Sequence, residues 1–168
     1  NVKTEPVLQT DFFFTLPHGF YFDVWHSVGL DGTGLSDNAG DEIDFTVGWT
    51  GEIENLWKTK VDLGISYFDC YELFKMPGGD VVLPYLKLSR EFEVLENHCL
   101  EPFVLFQFPY SAKGNEYGNG FMVRPGMLHH WNITDSLAIC QRVNLAFDDG
   151  IWGNDSGLLG EYRFDASW

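Results

Sequence analysis

Basic residues are scarce in this chain. Its 168 residues contain 10 Lys and Arg against 25 Asp and Glu, which gives a formal net charge of −15. Binding to nucleic acid depends on clustered Lys and Arg that neutralise phosphates, and docking on an anionic membrane surface depends on similar clusters. The composition therefore argues against nucleic acid as a partner and against peripheral attachment to an anionic membrane.

Long apolar runs are missing as well. The longest uncharged apolar stretch, residues 102–112, falls well short of the roughly 18 residues of a transmembrane helix. No segment shows helical 3.6-residue periodicity over a useful length. No signal peptide is visible at Asn1, so we expect either that a leader has been removed or that the sequence is a fragment.

The sequence also lacks the usual signatures of catalysis and of a disulfide framework. Its three cysteines, Cys70, Cys99 and Cys140, are odd in number, and none belongs to a Cys-x-x-Cys pair. Neither a Gly-x-Ser-x-Gly nucleophile elbow nor a phosphate-binding loop is present. We therefore expect that the protein is not an enzyme.

What the chain does have is two-residue alternation. In residues 42–51 the apolar Ile43, Phe45, Val47 and Trp49 alternate with small or charged residues, and residues 57–69 repeat the pattern. Successive strand residues point to opposite faces, so each run predicts a two-faced strand. Nine strands are predicted, over residues 8–16, 19–30, 42–51, 57–69, 80–94, 99–110, 119–131, 136–148 and 157–168.

Short and long connections alternate between these strands. The links at 17–18, 52–56, 95–98 and 132–135 are short, and those at 31–41, 70–79, 111–118 and 149–156 are longer. Outer-membrane barrels show this asymmetry, with short periplasmic turns and longer external loops. The sequence thus predicts an all-β fold, an antiparallel up-and-down meander barrel of about 8–10 strands that spans a membrane as a single domain over residues 1–168.

The number of predicted strands is odd, whereas single-chain bacterial barrels have an even number. Nine strands imply either a further strand upstream of Asn1 or one strand wrongly assigned. Two alternatives stay open. One is a soluble lipocalin-like barrel whose apolar face points inward and binds a hydrophobic ligand. The other is a β-barrel subunit of a larger membrane assembly.

Three motifs in the first half of the chain resemble an uncharacterised bacterial family, often called Gcw_chp. They are residues 5–11 (EPVLQTD), 19–27 (GFYFDVWHS) and 41–52 (DEIDFTVGWTGE). The resemblance extends over about residues 5–95. It implies an outer-membrane β-barrel with one further strand before the first motif, and it brings no established activity or catalytic residues.

The resemblance and the loop pattern together predict a small bacterial outer-membrane barrel with a structural or weakly porin-like role. Its expected partners are membrane lipid or lipopolysaccharide, and other subunits of a membrane complex. A polar inner face would then carry charged residues that line the lumen or pair with one another. The residues predicted to line it are Lys58, Lys60, Asp62, Asp44, Arg124, Arg142, Glu161 and Arg163.

Histidine and cysteine residues suggest one further site. If the strands at 99–110 and 119–131 pair, then His98, Cys99, His129 and His130 meet at one rim, where thiolate and imidazole ligands suit zinc or copper. Adjacent His129 and His130 point to opposite faces of a regular strand, which weakens the site. The alternative is a polar rim with incidental histidines and no cofactor.

Overall fold

The computed structural model describes the backbone of residues 7–29, 42–70, 80–111, 120–148 and 157–167. These residues form one antiparallel sheet that curls into a half-barrel, as the all-β antiparallel prediction required. Apart from a 3-10 turn at Pro17–Gly19, no helix occurs among the described residues, and none there is long and apolar enough to cross a membrane. All four long connections lie mostly or wholly outside the described residues.

The strands follow one another in a meander. Their bounds are β1 Val7–Thr15, β2 Phe20–Gly29, β3 Glu42–Ile53, β4 Thr59–Cys70, β5 Val81–Ser89, β6 Phe92–Leu95, β7 His98–Gln107, β8 Tyr110–Ser111, β9 Met122–Thr134, β10 Leu137–Asp148 and β11 Gly157–Ser167. The hydrogen-bonded order is β1-β2-β3-β4-β5-β7-β9-β10-β11, with β6 beside β7 and β8 beside β5. Within the described residues, β1 and β11 are the open edges of the sheet.

Two of the nine predicted strands are interrupted. The predicted strand 80–94 breaks at Arg90 and Glu91 into β5 and β6, and 99–110 breaks at Phe108 and Pro109 into β7 and β8. At the second break Phe108 N still donates to Pro84 O at 2.9 Å, so the two strands stay joined there. Strand pairing continues past both breaks. β5 pairs with both β7 and β8, and β7 pairs with both β5 and β6.

The four short turns lie at the same edge of the sheet, which we call the short-turn rim. They are Pro17–Gly19, residues 54–58, residues 96–97 and residues 135–136. Three of them contain residues with positive φ, namely His18, Gly19, Trp57, Lys58 and Asn97. The turn at 54–58 corrects one prediction. Lys58 is an exposed turn residue with φ of 56° rather than a strand residue, so the alternation does not place it on the inner face.

The register assigns every strand residue to one of two faces. The inner face, as we define it, carries Tyr21, Gly48, Ser66, Leu83, Glu101, Leu128 and Asn144, all of them buried. Among buried residues on the described strands, only Val61 and Asp69 lie on the opposite, outer face. The sheet therefore packs on the inner face.

The outer face is apolar and largely uncovered. Its exposed side chains include Phe12, Phe14, Phe20, Val47, Leu63, Ile65, Met127, Val143, Leu145, Phe147, Tyr162 and Phe164. Val47, near the middle of β3, keeps 59% of its surface exposed. Soluble monomers rarely expose a contiguous apolar patch of more than a few hundred Å². This sheet instead packs on the face that carries its charged residues and exposes large apolar side chains on the other.

Candidate functional site

With one exception, the Lys, Arg, Asp and Glu residues on the described strands share the inner face. The five Lys and Arg residues there all point to it by register; they are Lys60, Lys87, Arg124, Arg142 and Arg163. Among the strand carboxylates, Asp69 alone has outer-face register, and that side chain is only 2% exposed. The inner face is therefore the polar candidate site.

Its centre is a tyrosine pair that lies across two glycines. Tyr21 on β2 reaches over Gly48, and Tyr85 on β5 reaches over Gly64, where a Cβ would be 2.7 Å from the Tyr85 hydroxyl. The two hydroxyls are hydrogen-bonded to each other, and Tyr21 Oη also donates to Asp62 Oδ1 at 2.7 Å. Predicted lining residue Asp62 is therefore fixed within a network that joins β2, β4 and β5.

A second cluster lies further along the inner face, on β5, β7 and β9. Lys87 Nζ donates to Glu101 Oε1 at 2.9 Å and lies 5.2 Å from the centre of the Phe103 ring. The Glu101 carboxylate is nearly buried, so this ion pair is held away from solvent. Arg124 Nε lies 3.0 Å from Met122 Sδ. Ion pairing and ring packing thus fill this part of the face.

A small cavity remains within this cluster. It measures about 70 Å³, and its lining is Lys87, Phe103, Leu105, Arg124, Arg142 and Asn144. That volume holds a few water molecules and no larger solute. Hollows of about 680 and 520 Å³ are found instead at the short-turn rim, beside the turns at 96–97 and 135–136. The part of the inner face around Lys87 and Arg124 is thus packed by its own side chains.

Charge is unevenly distributed around the inner face. Strands β1, β2 and β3 contribute the inner-facing carboxyls Asp11, Asp23, Glu42, Asp44 and Glu52 and contain no Lys or Arg. The buried Oδ1 atoms of Asp23 and Asp44 have no hydrogen-bond partner among the described residues. On the described strands, Lys and Arg occur only from β4 onwards. One wall of the half-barrel is therefore acidic, and the other wall carries both charges.

The remaining predicted lining residues are placed as follows. Lys60 pairs with Glu91 near the short-turn rim, where both side chains are partly exposed. Arg142 and Arg163 are direct cross-strand neighbours on β10 and β11. Glu161 has inner-face register opposite Asn144, but its side chain lies outside the described part of the chain.

The four predicted metal ligands share the short-turn rim but not a face. His98 and His129 lie on the outer face, where His98 Nδ1 and His129 Nε2 are 3.0 Å apart. Cys99 and His130 are cross-strand neighbours on the inner face, and His130 Nε2 is 3.5 Å from a Glu101 carboxylate oxygen. The register thus splits the predicted site into two pairs. No group of three or more His, Cys, Asp or Glu suited to a metal ion occurs among the described residues.

Sequence reasoning missed the tyrosine network and the Lys87–Glu101 pair. A signal for the first was present, since Gly48 and Gly64 leave the polar face of two alternating strands without a side chain, at positions that prove to be directly paired. Glycine within a strand often marks the close approach of another group. The identity of that group, Tyr21 from one side and Tyr85 from the other, depends on pairing across four strands.

Comparison with known proteins finds no match. No family model matches the chain, and neither a curated protein nor a solved structure matches it. The resemblance to the Gcw_chp family therefore stays a prediction.

Proposed function

We propose that this chain is a small bacterial outer-membrane β-barrel protein with a structural role. The observation that carries the proposal is the distribution of residues between the two faces. Large apolar side chains are exposed on the outer face, and charged side chains lie on the inner face. In a membrane barrel the apolar face contacts lipid and the polar face fills the interior.

The dimensions of the outer face agree with a bilayer. From Ile43 to Ile53 the β3 strand advances ten residues. At about 3.3 Å per residue and a tilt of about 40°, this gives a height of about 25 Å, which matches the apolar band of such barrels. Exposed aromatic residues at the short-turn rim, among them Trp57 and Trp131, suit the interfacial girdle.

A structural role is favoured over an open pore because two clusters of side chains occupy the inner face. The tyrosine pair covers the glycines of β3 and β4, and the Lys87–Glu101 cluster leaves a cavity of only about 70 Å³. Barrels of about eight strands are generally filled by their own side chains. Lipid or lipopolysaccharide would be the main partner of the outer face. The soluble lipocalin-like alternative gains no support, since it needs the apolar face inside.

Quenching by brominated lipid tests the proposal. The chain is refolded into vesicles with bromine-labelled acyl chains, and its tryptophan fluorescence is compared with that in unlabelled vesicles. Trp49 has outer-face register and Trp25 has inner-face register. We expect the brominated lipid to quench the fluorescence of Trp49. The quenching should therefore be weaker in Trp49→Phe and unchanged in the matched Trp25→Phe variant. A folded chain that stays in the aqueous phase would rule the proposal out.

A second candidate is a wall segment of a larger barrel that several subunits build together. Within the described residues β1 and β11 are unpaired edges, and unpaired backbone groups cannot face lipid, so either the two edges of one chain meet or the edges of neighbouring subunits pair. Sedimentation in detergent distinguishes the two. A mass near the 19.2 kDa of one chain supports the first candidate, and a fixed multiple supports the second.

A further inference from the structure

We propose that His98 and His129 form a two-imidazole chelate for a divalent transition-metal ion. The site lies on the outer face at the short-turn rim: His98 directly follows the turn at 96–97, and His129 lies diagonally opposite it on β9. It stands apart from the inner-face network and does not depend on the proposed membrane role.

The distance between the two rings suits a chelate. His98 Nδ1 and His129 Nε2 are 3.0 Å apart. Two imidazole nitrogens, each about 2.0–2.1 Å from one tetrahedral zinc, would be about 3.3 Å apart. The two strands therefore already bring the nitrogens within a few tenths of an ångström of the separation that a shared metal ion requires.

Without metal the rings are joined by a hydrogen bond. Their centroids are 5.2 Å apart and their planes differ by 12°, so the rings lie side by side with the nitrogens facing each other. A metal ion can take the place of the shared proton if one ring turns about its Cβ–Cγ bond. Trp131 stacks on His98 at 5.2 Å and holds that ring. His129 is therefore the ring that turns.

The ligand set indicates which ions would bind. Imidazole suits copper, nickel and zinc, while carboxylate and water suit magnesium and calcium. With only two protein ligands, the other coordination positions would be filled by water, which reaches the rim. Cys99 and His130 take no part, because their register places them on the inner face.

Adjacent histidines provide a matched control for the test. His129 and His130 are neighbours in sequence but lie on opposite faces. Nickel(II) is titrated calorimetrically into refolded, tag-free protein in which Cys70, Cys99 and Cys140 are replaced by serine, so that thiols contribute nothing. We expect one bound ion, an affinity at least about tenfold weaker in His98→Ala and in His129→Ala, and little change in His130→Ala.

Acidification gives an independent readout. Metal binding needs the unprotonated imidazole, so the affinity should fall on acidification in the parent protein. Absence of nickel binding in the folded protein would overturn the proposal. So would binding that His130→Ala abolishes and the two outer-face variants retain. If the chain with all three cysteines replaced does not fold, the same three histidine variants are made in the wild-type chain. Their nickel affinities are then compared in the same way.

Discussion

A lysine on the outer face distinguishes a lipid-facing sheet from one that faces water. Leu63 has outer-face register near the middle of β4 and is 45% exposed. Leu56 lies in the turn at 54–58 and is 47% exposed. Leu63→Lys and Leu56→Lys are therefore the same chemical change at nearly equal exposure, one within the predicted apolar band and one outside it.

The two environments predict different magnitudes. In water, lysine at a half-exposed position changes the free energy of unfolding by about 0.5 kcal/mol or less. At the middle of a bilayer, lysine on the lipid face costs about 2–4 kcal/mol, and near the interface about 0–1 kcal/mol. We expect about 3 kcal/mol for Leu63→Lys, roughly a hundredfold in the folding equilibrium, and less than about 1 kcal/mol for Leu56→Lys.

Urea unfolding in lipid vesicles measures the difference. The wild type and both variants are compared by far-UV circular dichroism, and an unchanged slope shows that the same surface is exposed on unfolding. Equal and small effects of the two substitutions would refute the assignment of the outer face to lipid. A large effect in both variants would show that the turn is buried in the folded state, against its observed exposure.

Three further predictions concern the inner face, and the free energy of unfolding checks each. Gly48→Ala should cost about 1–3 kcal/mol because the new methyl group overlaps the Tyr21 ring, and Tyr21→Ala in the same chain should recover part of that loss. Tyr21→Phe should cost about 1.5–3 kcal/mol by removing a hydrogen bond to a carboxylate, while Tyr162→Phe on the exposed outer face should cost much less. Glu101→Gln breaks a pair with one nearly buried carboxylate and should cost about 2 kcal/mol or more, whereas Glu91→Gln breaks a partly exposed pair and should cost about 1 kcal/mol or less.

Alternation predicted the strands because the period of two is a local property of the backbone. It located β3 and β10 almost to the residue and indicated that Asp44 and Asp62 share a face. It also predicted that His129 and His130 lie on opposite faces, since successive side chains of a strand point to opposite sides. These features depend only on neighbours in sequence.

The failures have a different origin. Pattern alone did not show where a strand is interrupted, because the breaks at Arg90 and at Pro109 depend on pairing with other strands. Lys58 kept the alternation but lies in a turn with positive φ. The Tyr21–Tyr85 contact joins residues 64 positions apart and requires the register of three strand pairs. Contacts between distant strands are not encoded in local periodicity.

The alternation between the two faces has a consequence for the chain before it folds. Apolar residues of the outer face mostly alternate with polar, charged or small ones, and the longest uncharged apolar stretch in residues 1–168 is only 102–112, too short for a helix-inserting translocon to retain in a bilayer. The apolar surface comes into existence only when neighbouring strands pair and gather every second residue on one side. Under the proposed membrane role, such a polypeptide would cross an aqueous compartment unfolded and become lipophilic only as it folds.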